Sequence, residues 1–167
     1  LFCLIHGDTM SDQPIDVKIV HIEPLRVACV NGFGTSPENQ AYQKMSQFVK
    51  AKGFDRDGQP HRIFGFNNPN PSPGSPNYGY DVWLTVAEDV QSEGEVTVMD
   101  FPGGLYAVMS FQPVSPEEIY PAWQRLLAWV QRSPYRVASH QWLEEHIGPI
   151  DLSFPDLTLD LFLPISE

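Results

Sequence analysis

One pentapeptide near the C-terminus, Trp-Leu-Glu-Glu-His, carries the side chains best suited to chemistry. On a strand, alternate side chains point to opposite faces, so Trp142, Glu144 and His146 share one face and Leu143 and Glu145 share the other. If the apolar residues of this segment pack under a helix, Glu144 lies on the opposite face among aromatic side chains. A carboxylate that is partly desolvated there has a raised pKa and can pair with a cation or shuttle a proton.

A second interpretation of the same pentapeptide is an ordinary solvated strand face with two surface glutamates. The spacing does not decide between these interpretations, and it does not decide whether Glu144 or Glu145 faces a pocket. His140 and His146 share a strand face, but six residues of extended chain span about 20 Å, too far for one metal ion. Because no other histidines pair closely, we expect no metal and no cofactor.

A glycine-rich turn resembles a nucleotide-binding motif but lacks one of the glycines that the motif requires. Gly32-Phe33-Gly34 follows a strand and precedes a helix, but Pro37 occupies the position of the third glycine in a dinucleotide fingerprint. No Gly-x-Ser-x-Gly elbow is present, and neither Cys3 nor Cys29 has a visible base to activate it. We expect Cys29, which lies in an apolar run, to be a small buried hydrophobic residue.

Composition limits the class of protein. The 167 residues include 21 acidic and 10 basic side chains, a formal charge of −11, with 42% hydrophobic and 12% aromatic residues. Such a chain can bury a core and is not generally disordered. Ten scattered basic residues form no patch for nucleic-acid phosphate or an anionic membrane, and no apolar run approaches the roughly eighteen residues of a membrane span. We expect a cytoplasmic monomer or weak homodimer, with residues 1–15 a leader or linker and 16–167 the domain.

The elements that must position the pentapeptide form a repeat. Ser36-Pro37-Glu38 and Ser115-Pro116-Glu117 are two helix starts 79 residues apart, each preceded by an apolar strand and followed by an apolar helical stripe. Further strands are predicted after each helix, among them one from residue 140 to 147. The pattern indicates a duplicated strand-helix-strand-strand unit, with halves at about 16–90 and 95–167. We predict an α+β fold with a pseudo-two-fold antiparallel sheet, two main helices and a ligand groove between the halves.

Five segments resemble motifs of the GyrI-like small-molecule-binding domains, which also serve as effector domains of AraC- and MerR-type regulators. The similarity covers about residues 16–165 and includes the duplication. The segments are Tyr80-Asp81-Val82-Trp83, Phe101 to Val108, the Tyr120 to Val130 helix, Leu143-Glu144-Glu145-His146 and Leu161 to Ile165. The resemblance implies a groove for hydrophobic, often cationic or polycyclic molecules, and the pocket glutamate of the family falls on Glu144.

Three functions remain open at this point. In the first, the chain binds a small hydrophobic or cationic aromatic ligand, with Glu144 as counter-ion and a surrounding set of lining residues. In the second, the same pocket hydrolyses cyclopropane-bearing toxins with Glu144 as general acid or base. This function is implied by the resemblance to some members of the family. In the third, the chain is a fragment of a transcription regulator or an acidic protein-interaction module. The expected lining residues are Tyr80, Trp83, Tyr106, Trp142 and His146; Trp123 and Trp129 are expected in the core.

Overall fold

The predicted duplication is present in the order of the elements. In the computed structural model, the described residues are 14–167, and they form nine strands and two helices. The strands are β1 (Lys18–Ile22), β2 (Leu25–Gly34), β3 (Ile63–Asn67), β4 (Tyr78–Thr85), β5 (Thr97–Phe101), β6 (Gly104–Phe111), β7 (Arg136–Val137), β8 (Leu143–Ile147) and β9 (Thr158–Ser166). The helices are α1 (Pro37–Lys52) and α2 (Ile119–Arg132).

All neighbouring strands pair antiparallel, in the order β1-β6-β9-β8-β3-β4-β2-β5, and β7 pairs with the end of β9. Strands β6, β8 and β9 of the second half repeat β2, β3 and β4 of the first. The strand order is therefore the same from either end of the sheet when each strand is matched with its equivalent in the other half. The outermost strands cross over: β1 pairs with β6 of the second half, and β5 pairs with β2 of the first. The two halves therefore form one continuous sheet, with their seam at the β3–β8 pair.

Local sequence explains where the helices begin and end. Pro37 starts α1, Glu38 lies in its first turn, and Gly53 ends it in the left-handed conformation with φ of 73°. The side chain of Ser36 makes no capping hydrogen bond. The second helix begins at Ile119 rather than at the predicted Pro116, because residues 116–118 form a separate 3-10 turn.

The helices lie on one face of the sheet, here called the helix face. Buried residues of α1, such as Ala41 and Met45, pack on β2 and β4, and buried residues of α2, such as Leu126 and Val130, pack on β6 and β9. Each helix thus covers two strands of its own half and leaves the strand at the seam uncovered. The central strands β3 and β8 consequently lie below the space between the helices.

The opposite face of the curled sheet, here called the far face, is filled with aromatic side chains that pack on one another. Trp83 contacts Phe66 and Phe101 with ring centroids 4.8 and 5.2 Å apart, and Tyr106 contacts Phe162 at 5.6 Å. These residues are buried although no helix covers them. Edge-to-face aromatic pairs each contribute about 0.5–1.5 kcal/mol beyond the area that they bury.

The structure corrects two details predicted from the sequence. The strand expected over residues 140–147 begins only at Leu143, and Leu143 packs in the far-face cluster instead of under a helix. Residues 1–13 of the predicted leader, Cys3 among them, lie outside the described residues, whereas Ile15 already packs against the cluster beneath α2. Cys29 is buried, as predicted.

Candidate functional site

A cavity of about 820 Å³ occupies the space between the two helices. The N-terminal halves of α1 and α2 form its two sides, and the helix-face residues of β4, β8 and β9 form its floor. The loop between β8 and β9 closes a further wall through apolar residues that include Ile150, Leu152 and Phe154. The volume is in the range of pockets that enclose drug-sized ligands.

Glu144 lies on the cavity floor, at the seam of the two halves. Its Oε2 accepts a hydrogen bond from the Tyr80 hydroxyl, and its Oε1 accepts one from the Trp123 indole N–H, each at 2.9 Å. The opposing position on β3 is Gly65, where any Cβ would overlap the Tyr80 hydroxyl. The glycine therefore lets the tyrosine ring lie across β3 and reach the carboxylate.

Burial raises the pKa of the Glu144 carboxyl, and the negative charge of Glu38 raises it further. The hydrogen bonds from Trp123 and Tyr80 oppose this shift because they stabilise the charged form. An indole N–H can only donate, whereas a phenol hydroxyl can donate or accept. The Tyr80 hydroxyl can turn to accept a proton bound to Oε2, whereas the indole cannot accept one from Oε1.

His146 lines the cavity two residues beyond Glu144, on the same face of β8. Its ring packs against Tyr42 at 5.5 Å between centroids, and its Nε2 lies 3.0 Å from the carbonyl oxygen of Pro149. Burial lowers its pKa, while the Pro149 carbonyl and the charge of Asp151 act in the opposite direction. The contact with Pro149 ties the start of the cavity loop to the floor.

The electrostatic character of the cavity is acidic. Among the described residues that line it, Glu38, Glu144 and Asp151 are carboxylates, and none is a lysine or arginine. The aromatic rings of Tyr42, Tyr80 and Trp123 add electron-rich faces to this lining. Such a surface suits a ligand that combines apolar bulk with positive charge.

Three of the sequence-predicted site residues, Tyr80, Glu144 and His146, come together in the cavity. Glu145 points to the far face instead, where it accepts two hydrogen bonds from Arg62 at 2.7 and 2.8 Å. Trp142 is not part of the lining; its ring packs behind Trp123, with 5.2 Å between centroids.

Trp83 and Tyr106, predicted to line the groove, lie on the far face and do not reach the cavity. Their positions follow from strand alternation, because Trp83 is an odd number of residues from Tyr80 on β4. The Tyr106 hydroxyl donates to the carbonyl oxygen of Gln141 at 2.7 Å, which satisfies it within the core. The cavity lining therefore differs from the predicted one in that Trp83, Tyr106 and Trp142 do not belong to it.

Sequence reasoning missed Trp123 and Tyr42 as cavity residues. Trp123 belongs to the apolar stripe of α2 and was expected in the core, but it lies near the start of the helix, where its N–H reaches Glu144. Tyr42 follows the buried Ala41 of α1, so it lies at the margin of the helix stripe. A polar-tipped aromatic residue at such a margin is the signal that could have identified both.

Within residues 14–167, no three side chains of metal-binding type come together. The cavity brings together a carboxylate and aromatic rings, groups that can attract a cation, and Glu144 can hold or release a proton. No helix in the described part of the chain is long and apolar enough to cross a membrane.

Two repeated modules that share one sheet, with a cavity between their helices, define the GyrI-like class of α+β domains. The family model described as Cass2, integron-associated effector binding protein, matches residues 18–165, and the chain belongs to this family. It is accordingly a small-molecule-binding domain of the effector-binding type. A search of curated proteins gives no significant match.

Solved structures share the fold at low sequence identity. The C-terminal domain of EcmrR matches with a TM-score of 0.67 and 13% identity, over 93% of this chain and 99% of that domain. In the EcmrR–DNA complex, the match has a TM-score of 0.67 and 12% identity, over 91% of this chain, which spans only 57% of the EcmrR chain.

Two further structures are similar to the chain. A hydrolase from Listeria innocua matches with a TM-score of 0.63 and 12% identity, over 90% of this chain and 91% of the hydrolase. SAV2435, whose structure contains bound tetraphenylphosphonium, matches with a TM-score of 0.55 and 13% identity, over 91% of this chain and 94% of that one.

Proposed function

We propose that the chain binds lipophilic organic cations in the cavity between α1 and α2, with Glu144 as the counter-ion. The observation that supports this most directly is the environment of Glu144. Its carboxylate is held by two neutral donors, Tyr80 and Trp123, and no cationic side chain of the described residues pairs with it. A desolvated carboxylate without a cation is costly, and an incoming cation would remove that cost.

The aromatic lining supports the same ligand class. Tyr42 and Trp123 flank the carboxylate, and Tyr120 stands at the rim with 71% of its surface exposed. Each aromatic face attracts a cation by about 0.5–2 kcal/mol, more as the site is desolvated. The similar protein SAV2435 was found with tetraphenylphosphonium, a compound of this chemistry.

Titration calorimetry with tetraphenylphosphonium tests the proposal. Glu144→Gln keeps the size of the side chain and an oxygen for the Trp123 N–H but removes the charge, so we expect affinity to fall at least tenfold. Glu145→Gln is the matched control, because it removes the same charge one residue away on the far face, and we expect affinity within twofold of wild type. Equal affinity of the wild-type protein and Glu144→Gln would overturn the counter-ion role.

A second candidate function is hydrolysis of strained, cyclopropane-bearing compounds in the same cavity. The raised pKa of Glu144 and the likeness to the Listeria innocua hydrolase favour it. Glu144 would protonate the ring-opening leaving atom or take a proton from the attacking water. Mass spectrometry of a cyclopropyl-indole substrate tests it: an added water lost in Glu144→Gln supports hydrolysis, and no turnover above buffer contradicts it.

A third candidate is that the chain acts as the effector domain of a transcription regulator, which the likeness to EcmrR in its DNA complex favours. The ligand chemistry would be the same, since the cavity belongs to the domain. Ligand-dependent change in the mobility of a promoter fragment with the full-length protein would distinguish this role from free-standing binding.

A further inference from the structure

Glu38 places a second carboxylate in the cavity. It lies in the first turn of α1, where the Tyr78 hydroxyl donates to its two oxygens at 2.7 and 3.0 Å. No ion pair in the described part of the chain includes Glu38. Lys44 and Lys52 of α1 form ion pairs with Glu95 and Glu93 instead.

The two cavity carboxylates are held in the same way by neighbouring tyrosines. Tyr78 and Tyr80 are two residues apart on β4, so their side chains share the helix face and their backbones are about 7 Å apart. Tyr78 binds Glu38, and Tyr80 binds Glu144. Two tyrosines of one strand therefore hold two cavity carboxylates, one from α1 and one from β8.

Tyr42 connects the two points. Its ring lies 6.2 Å from that of Tyr80, and the charges of both Glu144 and Glu38 raise the pKa of its hydroxyl after the larger effect of burial. The Tyr42 hydroxyl thus experiences the charge of both carboxylates. The third carboxylate, Asp151, belongs to the loop wall and acts on His146.

A single positive charge at Glu144 leaves Glu38 without a cation in the same cavity. The two carboxylates repel each other, because the charge of Glu38 disfavours ionisation of Glu144. A second cationic centre on the same ligand would relieve this repulsion without a further loss of translational freedom. We propose that the cavity prefers elongated dications, with one cationic centre against Glu144 and the other against Glu38. This proposal rests on the proposed cation-binding function.

Matched pairs of quaternary ammonium compounds test the preference by titration calorimetry. Hexamethonium is compared with hexyltrimethylammonium, and decamethonium with decyltrimethylammonium, so each pair differs by one trimethylammonium group. For at least one spacer length, we expect the wild-type protein to bind the dication at least tenfold more tightly. Glu38→Gln should remove this preference, because it should weaken the binding of the dication far more than that of the monocation.

Two further variants separate the sources of the effect. Glu88→Gln removes an exposed charge outside the cavity, and we expect it to keep the dication preference, which excludes general attraction to an acidic protein. Glu144→Gln should weaken both members of each pair. If monocations bind through Glu144 but dications have no advantage, the dication preference is wrong and the proposed function stands. If neither type binds, or Glu144→Gln changes nothing, both proposals are wrong.

Discussion

Gly65 and Glu144 lie directly opposite each other in the antiparallel β3–β8 pair. They are also 79 residues apart, the offset that relates the two helix starts, so they are equivalent positions of the repeat. One half thus supplies a carboxylate at the seam, and the other supplies a space that the Tyr80 ring fills. The asymmetry of this one pair places one carboxylate at the seam and lets the Tyr80 hydroxyl donate to it.

We predict that Gly65→Ala disrupts the site from beneath. A Cβ at this position would overlap the Tyr80 hydroxyl, so the ring must move and its hydrogen bond to Glu144 must lengthen or break. Overpacking of this kind costs about 1–3 kcal/mol of unfolding free energy. Urea unfolding measures the loss, and titration with tetraphenylphosphonium should show weaker binding. A variant with wild-type stability and affinity would contradict this account of the glycine.

Cation binding should strengthen as pH rises through the pKa of Glu144. Burial raises that pKa, so the carboxyl is neutral over a wider acidic range than an exposed glutamate and attracts no cation there. The other acidic and basic side chains facing the cavity are Glu38, Asp151 and His146. In titration calorimetry between pH 5 and 8, the affinity of the wild-type protein should change more steeply with pH than that of Glu144→Gln.

His146 should contribute to this pH profile in the same direction. Burial lowers its pKa, so it gains a positive charge only in the acidic part of the range and then repels the ligand. His146→Gln should remove that part of the profile while the change due to Glu144 remains. In Glu144→Gln, the remaining change of affinity with pH should come from the other titratable groups of the cavity alone. A profile unaffected by either substitution would contradict the assignment.

Glu144→Gln should increase stability at neutral and alkaline pH. Because the folded-state pKa of Glu144 is raised, the protonated carboxyl stabilises the fold at acidic pH, and this contribution is lost as pH rises through the folded pKa. Glutamine carries no charge at any pH. The variant should therefore match the wild type near pH 4 and exceed its Tm above pH 7, whereas Glu88→Gln should differ little at either pH. A Tm below that of wild type at pH 8 would be the contrary result.

The duplicated fold could be predicted because its signals are local and repeated. Pro37 and Gly53 mark the ends of the first helix, and the 79-residue offset recurs in the strands. Strands β5 and β7 were missed, because three of the five residues of β5 are exposed and β7 has only two residues. Their pairing depends on partners far away in the chain.

Strand alternation separated Glu144 from Glu145 but could not assign the cavity face. That assignment depends on which strands the helices cover, and β8 lies in the uncovered middle of the sheet. Glu144 and His146 therefore face the cavity beside the helices, while Leu143 and Glu145 lie on the far face. The same gap brings Trp123, a residue of the core stripe, to the carboxylate.

Trp123→Phe should weaken cation binding near neutral pH without unfolding the protein. The hydrogen bond from the indole N–H favours the charged form of Glu144, so its loss raises the pKa of the carboxyl further. The affinity profile should consequently shift to higher pH. Trp129→Phe is the matched control, because Trp129 is on the same helix, packs in the cluster beneath α2 and does not line the cavity. Equal pH midpoints in the two variants would contradict the role of the indole.

An ion pair between Arg62 and Glu145 joins the two halves on the far face, and we predict that it stabilises the fold. Arg62 precedes β3 and Glu145 lies on β8; the guanidinium also lies over the ring of Phe64 at 4.7 Å from its centroid. Glu145 is 7% exposed, so removal of its partner leaves a buried carboxylate unpaired. Because a third of the Arg62 side chain is exposed, we expect Arg62→Met to cost about 1–3 kcal/mol, below the range of a fully buried pair.

The double variant Arg62→Met with Glu145→Met separates pairing from packing. An apolar pair of similar size leaves no buried charge, so the double variant should recover most of the stability that Arg62→Met loses in urea unfolding. Both variants should bind tetraphenylphosphonium within twofold of wild type, because the ion pair lies across the sheet from Glu144. A double variant no more stable than Arg62→Met would show that the guanidinium acts through its contact with Phe64 rather than through Glu145.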